Sequence, residues 1–276
     1  MLAAAADSIG VRIDRTRAIS DGWDSLVFEV NGSWIFRFPR RAEVADHLHA
    51  ECRLLGDLAP ALSYAVPTPD RVRFALGRPF MAYRAIPGRP FTATDDAGVV
   101  GRALRELHDY PAARAASRLE QPADIAGWVD RYRLLAADVD GRVLPLLDEP
   151  LRGLVERGLA NFLLADWTGV EPRLVHADLG ADHLLMHDAV RLSGIIDFGD
   201  ATVGDPVIDF VGLRITGGAE AVRAAATAYG SAVDADRLHV YYWLGSVHAI
   251  LYGLQIRDRE TVADGVAGLR NRLTPS

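Results

Sequence analysis

Short apolar runs that end in an aspartate constrain the fold of this chain more than any other feature. Seven aspartates and one arginine lie in the segment from Asp178 to Asp209. Asp178 follows the run RLVHA and Asp197 follows RLSGII, with a hairpin-like segment between them. This spacing predicts two loops that present carboxylates at one edge of a small sheet. Because like charges repel, a metal ion, a cationic substrate or water must separate them, and Mg²⁺ is a metal that prefers carboxylate oxygens.

Four other aspartates of this segment have a structural interpretation. Asp205 stands directly before a proline, which is a common start of a helix. We expect Asp205 and Asp209 to hold the loop. Asp182 and Asp188 are expected to lie in exposed turns. Asp178, Asp197 and Asp200 remain as candidates for chemistry or binding.

The composition excludes several classes of protein. The chain has 276 residues, 50% of them hydrophobic and 24% charged, as in soluble globular proteins. No apolar stretch approaches the roughly 20 residues of a membrane span. The start MLAAAADSIG lacks the basic region of a signal peptide, and the single cysteine, Cys52, cannot form an internal disulfide. We therefore expect a cytoplasmic protein without a membrane partner.

Charge is unevenly distributed along the chain. All 30 basic residues are arginine. Residues 1–91 carry 12 arginines against 10 acids, a net charge of +2. Residues 92–276 carry 18 arginines against 27 acids, a net charge of −9. The acidic second half argues against a nucleic-acid partner and favours a cationic small molecule as the ligand. We expect the protein to be a monomer.

The first ninety residues are expected to be mostly β-strand. The runs SLVFEV and WIFRF flank Asn31-Gly32-Ser33, which favours a hairpin turn. Residues 42–59 show the helical spacing of apolar side chains, and RVRFAL and PFMAYRAI predict another strand pair around Gly77. The sequence PGRP at 87–90 is typical of a linker.

The rest of the chain is expected to be mainly helical. GVVGRALRELHDY, IAGWVDRYRLLAADV and ADRLHVYYWLGSVHAILYGLQ all show helical periodicity, and the aspartate-rich segment is a short β insert among them. The sequence thus predicts an α+β fold. A small β-rich part with one helix occupies residues 1–86, a linker 87–94, and a larger helical part 95–276.

Two segments, VHADLGADHLL and IIDFGDATVGDPVIDF, resemble the catalytic and metal-binding segments of the aminoglycoside phosphotransferase family. These antibiotic kinases include aminoglycoside, macrolide and viomycin/capreomycin phosphotransferases. The resemblance covers nearly the whole chain and rests on the joint order and spacing of several chemically distinct residues. It implies a protein-kinase-like bilobal fold, with a nucleotide-binding N-lobe, a hinge, and a C-lobe for catalysis and substrate binding. The matching residues are His176, Asp178, His183, Asp197, Asp205, Pro206 and Asp209.

The resemblance implies a role for each residue in phosphoryl transfer. Asp178 would be the catalytic residue that orients the attacking hydroxyl, and Asp197 would hold Mg²⁺. Arg37 would cover the phosphates of ATP or GTP, and Glu51 would hold Arg37 in place. The family more often has lysine at the first of these positions, but arginine stays cationic and grips phosphate with two nitrogens. The alternatives are a surface arginine on a strand and a solvated glutamate on a helix.

His183 is a second departure from the usual pattern, in which an asparagine often stands at this position. Imidazole is a less natural ligand of Mg²⁺ than an oxygen. Because kinases of aminoglycoside 2″-hydroxyls and of macrolides resemble this chain in carrying histidine there, we predict that His183 is a metal ligand. The alternative is a histidine that only braces the Asp178 loop. His176 is expected to be structural.

The rest of the nucleotide site is predicted only coarsely. Ser20 and Ser25 frame the sequence SDGWDS, which stands where backbone N–H groups would cover phosphates. The segment FMAYRAIPG resembles a hinge in which main-chain groups near Arg84 and Ile86 bind the nucleobase. The choice between ATP and GTP stays open.

The acceptor is expected to be the hydroxyl of a cationic antibiotic. Asp200 is predicted to bind an ammonium group of this substrate, and Glu220 is a second candidate. An aminoglycoside is the first expectation, followed by a basic cyclic peptide of the viomycin or capreomycin type. A macrolide kinase, a small-metabolite kinase of the same fold, a nucleotide-binding pseudokinase and an unrelated α+β hydrolase are the alternatives.

Overall fold

The described part of residues 1–86 forms one five-stranded sheet, as its apolar pattern predicts, but it carries two helices where the sequence predicted one. The protein is seen in a computed structural model that describes residues 1–19 and 25–273, with only the backbone of residues 42–44 and 46. Five strands form an antiparallel sheet in the order β1-β2-β3-β5-β4. The strands are β1 (Thr16–Ile19), β2 (Ser25–Val30), β3 (Trp34–Pro39), β4 (Arg73–Ala75) and β5 (Arg78–Arg84). The helices of this part are α1 (Leu2–Ser8) and α2 (Ala42–Leu58).

The predicted hairpin turn joins β2 to β3. Asn31 and Gly32 adopt left-handed backbone angles, with φ of 56° and 67°. The Asn31 side-chain oxygen accepts the backbone N–H groups of Asp14 and Arg15 at 2.9 and 3.0 Å. The asparagine therefore closes the turn and also fastens the segment that leads into β1.

Alternation along β3 sorts its side chains onto two faces of the sheet. Phe36 and Phe38 are buried in an apolar cluster with Phe80 of β5, beneath α1. Arg37 lies between these two phenylalanines in sequence, so the strand period directs it to the opposite face. There it meets Glu51 of α2 at 2.7 Å. The alternation thus delivers one cation to the space between the sheet and α2.

Helices dominate the remainder of the described chain, as predicted. The helices are α3 (Ala97–His108), α4 (Ala112–Leu119), α5 (Ile125–Asp138), α6 (Glu149–Leu164), α7 (Val211–Tyr229), α8 (Ala235–Ile256) and α9 (Arg259–Leu273). The strands are β6 (Arg89–Pro90), β7 (Arg173–Val175), β8 (Leu184–Asp188), β9 (Arg191–Ile195) and β10 (Thr202–Gly204). None of the helices within residues 1–19 and 25–273 combines the length and apolar character needed to cross a membrane.

The strands of the aspartate-rich segment form two separate sheets. β7 pairs with β10, whereas β8 lies between β6 and β9. The prediction that one small sheet presents Asp178 and Asp197 is therefore wrong, because the strands before them belong to different sheets. The turn between β8 and β9 lies at residues 189–190, since Asp188 pairs with Arg191 and accepts the N–H of Val190 at 3.0 Å.

The predicted linker carries a pair of strand residues. Arg89 and Pro90 form β6 opposite Met186 and Leu185 of β8. Asp95 ends this stretch with a buried side chain and accepts two hydrogen bonds from the Arg89 guanidinium, at 2.6 and 2.7 Å. The linker is thus fastened to the helical part at both of its ends.

One large apolar core joins α2 to the helical part. Phe198 and Trp243 are among its largest fully buried side chains. Leu54, Leu55 and Leu58, from the last turns of α2, belong to the same cluster. The helix that carries Glu51 therefore packs against the sheet with one end and against the C-terminal core with the other.

Candidate active site

The loop that carries Asp178 is held from behind by a buried carboxylate. Asp209 accepts the backbone N–H groups of His176 and Ala177, each at 2.8 Å. Ala177 has a left-handed φ of 66°, which turns the chain sharply between the end of β7 and Asp178. Two charged hydrogen bonds on consecutive residues offset the cost of this backbone conformation. Asp178 is thereby presented from a fixed turn.

A third hydrogen bond to Asp209 comes from a residue that sequence reasoning missed. His108, at the end of α3, is fully buried and lies with Nε2 3.0 Å from an Asp209 oxygen. Its Nδ1 lies 2.9 Å from the Tyr229 hydroxyl. Because a carboxylate only accepts, Nε2 carries the proton, and in the neutral imidazole Nδ1 then accepts from the tyrosine hydroxyl. No spacing signal links these residues, which lie 101 positions apart, so the sequence offered no means of finding the contact.

A histidine ties the Asp178 loop to the Asp197 loop. The buried His176 donates from Nε2 to the carbonyl oxygen of Ile196 at 2.9 Å. Its ring packs against Phe198 at a centroid distance of 4.8 Å. Asp197 lies between these two contacts with a left-handed φ of 64°. This bond, rather than a shared sheet, brings the two carboxylates to one place, and it gives His176 the structural role that was expected.

His183 lies between the two predicted catalytic loops. Its Nδ1 donates to the backbone carbonyl oxygen of Asp178 at 2.7 Å, so Nε2 is the nitrogen that a metal would take once its proton is lost. That nitrogen lies 3.9 Å from an Asp197 oxygen and 3.7 Å from an Asp182 oxygen. Burial lowers the pKa of His183, but the neighbouring carboxylates of Asp197 and Asp182 outweigh burial and raise it. The same imidazole thus braces the Asp178 loop and offers a ligand beside Asp197, so its two predicted roles are compatible.

The side chains of Asp197 and His183 suit a magnesium ion better than a metal that binds only protein ligands. Within residues 1–19 and 25–273 no group of three His, Cys, Asp or Glu side chains is arranged to enclose a metal. Asp197 and His183 together offer one carboxylate and one imidazole. Magnesium takes few protein ligands and keeps waters and substrate phosphates as the others. An open pair of this kind suits a metal that is completed by a nucleotide.

The two carboxylates differ in acidity because their surroundings differ. Asp178 reaches solvent, but the surrounding protein removes much of its hydration, and this desolvation raises its pKa to about 6. His183 lowers that pKa, while Asp200 and Asp197 raise it further. For Asp197 itself, desolvation acts in the upward direction, but Arg37 and His183 outweigh it and hold the pKa below its ordinary value. Asp197 therefore stays ionised under conditions in which Asp178 still exchanges a proton.

Arg37 lies at the junction of the sheet, α2 and the Asp197 loop. Its side chain is buried, with one terminal nitrogen 2.7 Å from Glu51 and the other 3.1 Å from Asp197. Burial alone would lower the Arg37 pKa, but the two carboxylates raise it, so the guanidinium stays charged. Burial raises the pKa of Glu51 to about 7, although Arg37 acts against this. Neither residue is the solvated surface charge that was the alternative interpretation.

The predicted hinge residues lie at the end of β5. Arg84 pairs with Trp34 in the sheet, and its exposed guanidinium stacks 4.1 Å above the Trp34 ring. Ile86 follows, partly buried, and would approach a side chain built at Gly194 of β9. Ser25 is buried at the start of β2 beside Arg37. Ser20 lies outside the described residues.

Asp200 lines a cavity of about 460 Å³ between α2, α5 and the Asp197 loop. Gln121, Trp128 and Arg131 contribute to the same wall. Asp200 is exposed and lies near enough to raise the pKa of Asp178. Glu220 is different, since it lies exposed on α7, and no contact in the described part of the chain joins it to this group. The structure brings Asp200 to the site and does not bring Glu220 there.

The other aspartates of the segment, like Asp209, have the structural positions that the sequence suggested. The buried Asp205 accepts the N–H of Val207 at 3.2 Å and the Tyr241 hydroxyl at 2.9 Å. Asp188 closes the exposed β8–β9 turn. Asp182 lies exposed in the short 3₁₀ turn Ala181–His183, with a carboxylate oxygen 3.7 Å from Nε2 of His183.

Comparisons with known proteins agree with this geometry. A family model described as "Phosphotransferase enzyme family" matches residues 15–242. Viomycin phosphotransferase of Streptomyces vinaceus is 27% identical over 247 residues, which cover 84% of this chain and 85% of the relative. These matches agree with the family predicted from the two motif segments.

Solved structures share the fold over almost the full length. The GDP and kanamycin complex of APH(2")-IIIa superposes with a TM-score of 0.87 at 28% identity and covers 98% of this chain and 97% of that one. The streptomycin–ATP–APH(2")-IIa ternary complex superposes with a TM-score of 0.71 at 26% identity, over 98% and 95% of the two chains. The predicted α+β kinase-like fold is confirmed. Since the family model also matches most of its length, the chain belongs to the phosphotransferase enzyme family.

Proposed function

We propose that the chain transfers the terminal phosphoryl group of a nucleoside triphosphate to a hydroxyl of a cationic antibiotic. The observation that carries the proposal is the meeting of Asp178 and Asp197 at His183, with the Arg37–Glu51 pair directly behind Asp197. Phosphoryl transfer needs an alcohol that is held in position and a phosphate whose charge is neutralised. The Asp178 carboxylate would position the alcohol, and Arg37 together with a metal ion at Asp197 would neutralise the phosphate.

The proposed reaction uses Asp178 at the acceptor oxygen. Its carboxylate accepts a hydrogen bond from the acceptor hydroxyl and orients one lone pair toward the γ-phosphorus. The bond from that oxygen to phosphorus forms while the bond from phosphorus to the β–γ bridging oxygen breaks, which releases the nucleoside diphosphate. The hydroxyl proton passes to Asp178 late in the transfer. A pKa of about 6 leaves this carboxylate mostly ionised at neutral pH and able to take a proton.

Asp197 and His183 would hold a magnesium ion in this proposal. When bound, the ion supplies positive charge against the phosphate oxygens. Arg37 supplies a second cation beside it, and Glu51 keeps that cation in place. The depressed pKa of Asp197 supports this role, because a ligand must be ionised to bind metal.

The acidic side of the site supports an amine-bearing acceptor. Asp200 raises the pKa of Asp178 and lines an open cavity, where its carboxylate can accept a charge-assisted hydrogen bond from an ammonium group. The relatives point the same way, since kanamycin is bound in one complex and viomycin names another enzyme. We propose an aminoglycoside as the first acceptor class and a basic cyclic peptide as the second. The use of nucleoside triphosphate supports a cytoplasmic location.

Direct assay of product tests the proposal. The protein is incubated with Mg²⁺, ATP or GTP, and a panel of aminoglycosides, viomycin-type cyclic peptides and macrolides. Mass spectrometry is expected to show an aminoglycoside or cyclic peptide that is heavier by one phosphoryl group, and far less of this product with Asp178→Asn. Phosphorylation of macrolides alone would overturn the cationic acceptor. Nucleotide hydrolysis that is unaffected by Asp178→Asn would overturn the transferase itself and favour a hydrolase.

A further inference from the structure

Each nitrogen of the Arg37 guanidinium has its own oxygen partner. The Nε atom lies 3.2 Å from the Ser25 hydroxyl oxygen. One terminal nitrogen lies 2.7 Å from Glu51 and the other 3.1 Å from Asp197. Arg37, Ser25 and Glu51 are all buried. The three partners come from β2, α2 and the Asp197 loop, so the plane of the guanidinium is fixed from three directions.

The sheet register explains why Ser25 can reach Arg37. Val27 of β2 lies directly opposite Arg37 of β3, so the two side chains share one face. Ser25 is two residues before Val27 and therefore lies on that face as well. Such a diagonal pair is within reach of a long side chain, and the guanidinium spans the gap. Ser25 is also the last residue of the segment SDGWDS, which is expected to cover the phosphates.

A lysine would not make this set of contacts. Its ammonium is a single point charge on a flexible stem, and it carries no N–H where Arg37 places Nε. The Asp197 loop is also shaped for the larger head group, because a Cβ atom at Gly199 would lie 2.7 Å from the second terminal nitrogen of Arg37. With the guanidinium held at three points, it has no room to move away from such a side chain.

From this geometry we infer that Ser25 is a positioning residue for Arg37, acting through its side-chain hydroxyl. The inference rests on the proposed function, because it assumes that Arg37 meets the phosphates of the nucleotide. The hydroxyl accepts from Nε and stops rotation of the guanidinium about its stem. Arg37 then meets the nucleotide in one orientation, with Glu51 and Asp197 already satisfied. Ser25 is thus required only because the cation is an arginine.

A double-mutant cycle tests this dependence directly. Nucleotide Kd is measured by calorimetry with Mg²⁺ and without acceptor, for wild type, Ser25→Ala, Arg37→Lys and the double variant. We expect Ser25→Ala to weaken nucleotide binding about three- to tenfold in the arginine background. In the lysine background the same change is expected to alter Kd less than about twofold, because the partner N–H is absent. Ser25→Thr keeps the hydroxyl and is expected to restore binding to near the wild-type value.

The outcomes separate this inference from the proposed function. Equal effects of Ser25→Ala in both backgrounds would overturn it, since Ser25 would then act on the nucleotide or the fold without Arg37. Failure of Ser25→Thr to restore binding, with a wild-type thermal unfolding midpoint, would also overturn it. A wild-type chain that binds no nucleotide would overturn both proposals. A chain that binds nucleotide with the expected coupling but phosphorylates no cationic antibiotic would overturn only the proposed acceptor.

Discussion

At the scale of single residues, the two aspartates of the site have different pKa values because their surroundings differ. Asp178 loses hydration and lies near other carboxylates, so its pKa rises to about 6. Asp197 lies against Arg37 and His183, so its pKa falls despite desolvation. Two carboxylates with separated pKa values can divide the work of base and metal ligand. The division follows from what each side chain touches.

Replacing Asp178 isolates its role as proton acceptor. Asp178→Asn preserves the size of the side chain but removes the basic oxygen. The kcat for phosphorylation of the antibiotic is therefore expected to fall about 10²- to 10⁴-fold. Nucleotide Kd is expected to stay near the wild-type value, because Asp178 is proposed to contact the acceptor and not the nucleotide. Steady-state kinetics and calorimetry measure the two quantities. Asp188→Asn, in the exposed turn of the same segment, is the matched control, and equal kcat values for the two variants would contradict the assignment.

At the scale of structural elements, the buried Asp209 joins a loop, a strand end and α3. It accepts two backbone N–H groups of the Asp178 loop and one ring nitrogen of His108. An asparagine would turn a donor toward groups that are themselves donors. Asp209→Asn is therefore expected to lower the free energy of unfolding by about 2–4 kcal/mol, as for other losses at buried hydrogen-bond networks.

Urea denaturation measures this loss. Asp166→Asn removes an exposed carboxylate that accepts from Thr168 in a surface turn, and it is expected to change the midpoint little. The same Asp209→Asn protein, where folded, is expected to lose kcat more than nucleotide affinity. A wild-type urea midpoint for Asp209→Asn would show that the Asp178 loop is held by other contacts.

The fastening of the linker gives a pH-dependent contribution to stability. Asp95 accepts from Arg89 and from Thr92, and the hydrogen bonds from Arg89 are the main cause that lowers its pKa to about 2. A carboxyl with a depressed folded-state pKa stabilises the fold fully above its ordinary value near 3.9. That contribution is lost as pH falls from about 4 toward 2. Asp95→Asn is therefore expected to be less stable than wild type at pH 7, with the difference shrinking below pH 4.

Urea titrations of the two proteins at several pH values measure this difference. Asp96 lies next to it, exposed at the N-terminus of α3, and its carboxylate accepts the N–H of Gly98. Asp96→Asn keeps an oxygen that can cap the helix, so its difference from wild type is expected to be small at every pH. If the difference in free energy of unfolding between wild type and Asp95→Asn stays constant from pH 7 to pH 3, the ionised Asp95–Arg89 pair does not have this role.

At the scale of the whole molecule, local patterns predicted the elements and their hairpins, but not the pairing of strands that lie far apart in sequence. Alternation in WIFRF and the Asn31-Gly32 turn predicted β3 and its hairpin, because these signals lie within a few residues. The resemblance of two short segments predicted the family and the fold. The pairing of β7 with β10 was not predicted, since register between Val175 and Thr202 depends on what the rest of the chain places around them. The His108–Asp209 contact lacked any local signal for the same reason.

The attachment of α2 to the helical part is another feature that only the folded chain shows. Asp57, near the end of α2, accepts from Arg114 at 2.9 Å and from Arg118 at 2.7 Å, both on α4. These contacts hold its pKa well below the ordinary value. Glu51 lies on the same helix, so α4 and the Arg37–Glu51 pair are connected through α2. The proposed nucleotide site thus depends partly on contacts with the helical part of the chain.

This coupling predicts an effect of Asp57 on nucleotide binding from a distance. Asp57→Asn weakens the ion pairs to Arg114 and Arg118, and α2 then holds Glu51 less firmly. Because these are largely solvent-accessible pairs, nucleotide Kd is expected to rise only about two- to fivefold. Asp70→Asn makes the same charge change at an exposed pair with Arg73 and is expected to leave Kd unchanged. If calorimetry shows equal changes of nucleotide Kd in both variants, net charge determines the affinity, and not the contacts between α2 and α4.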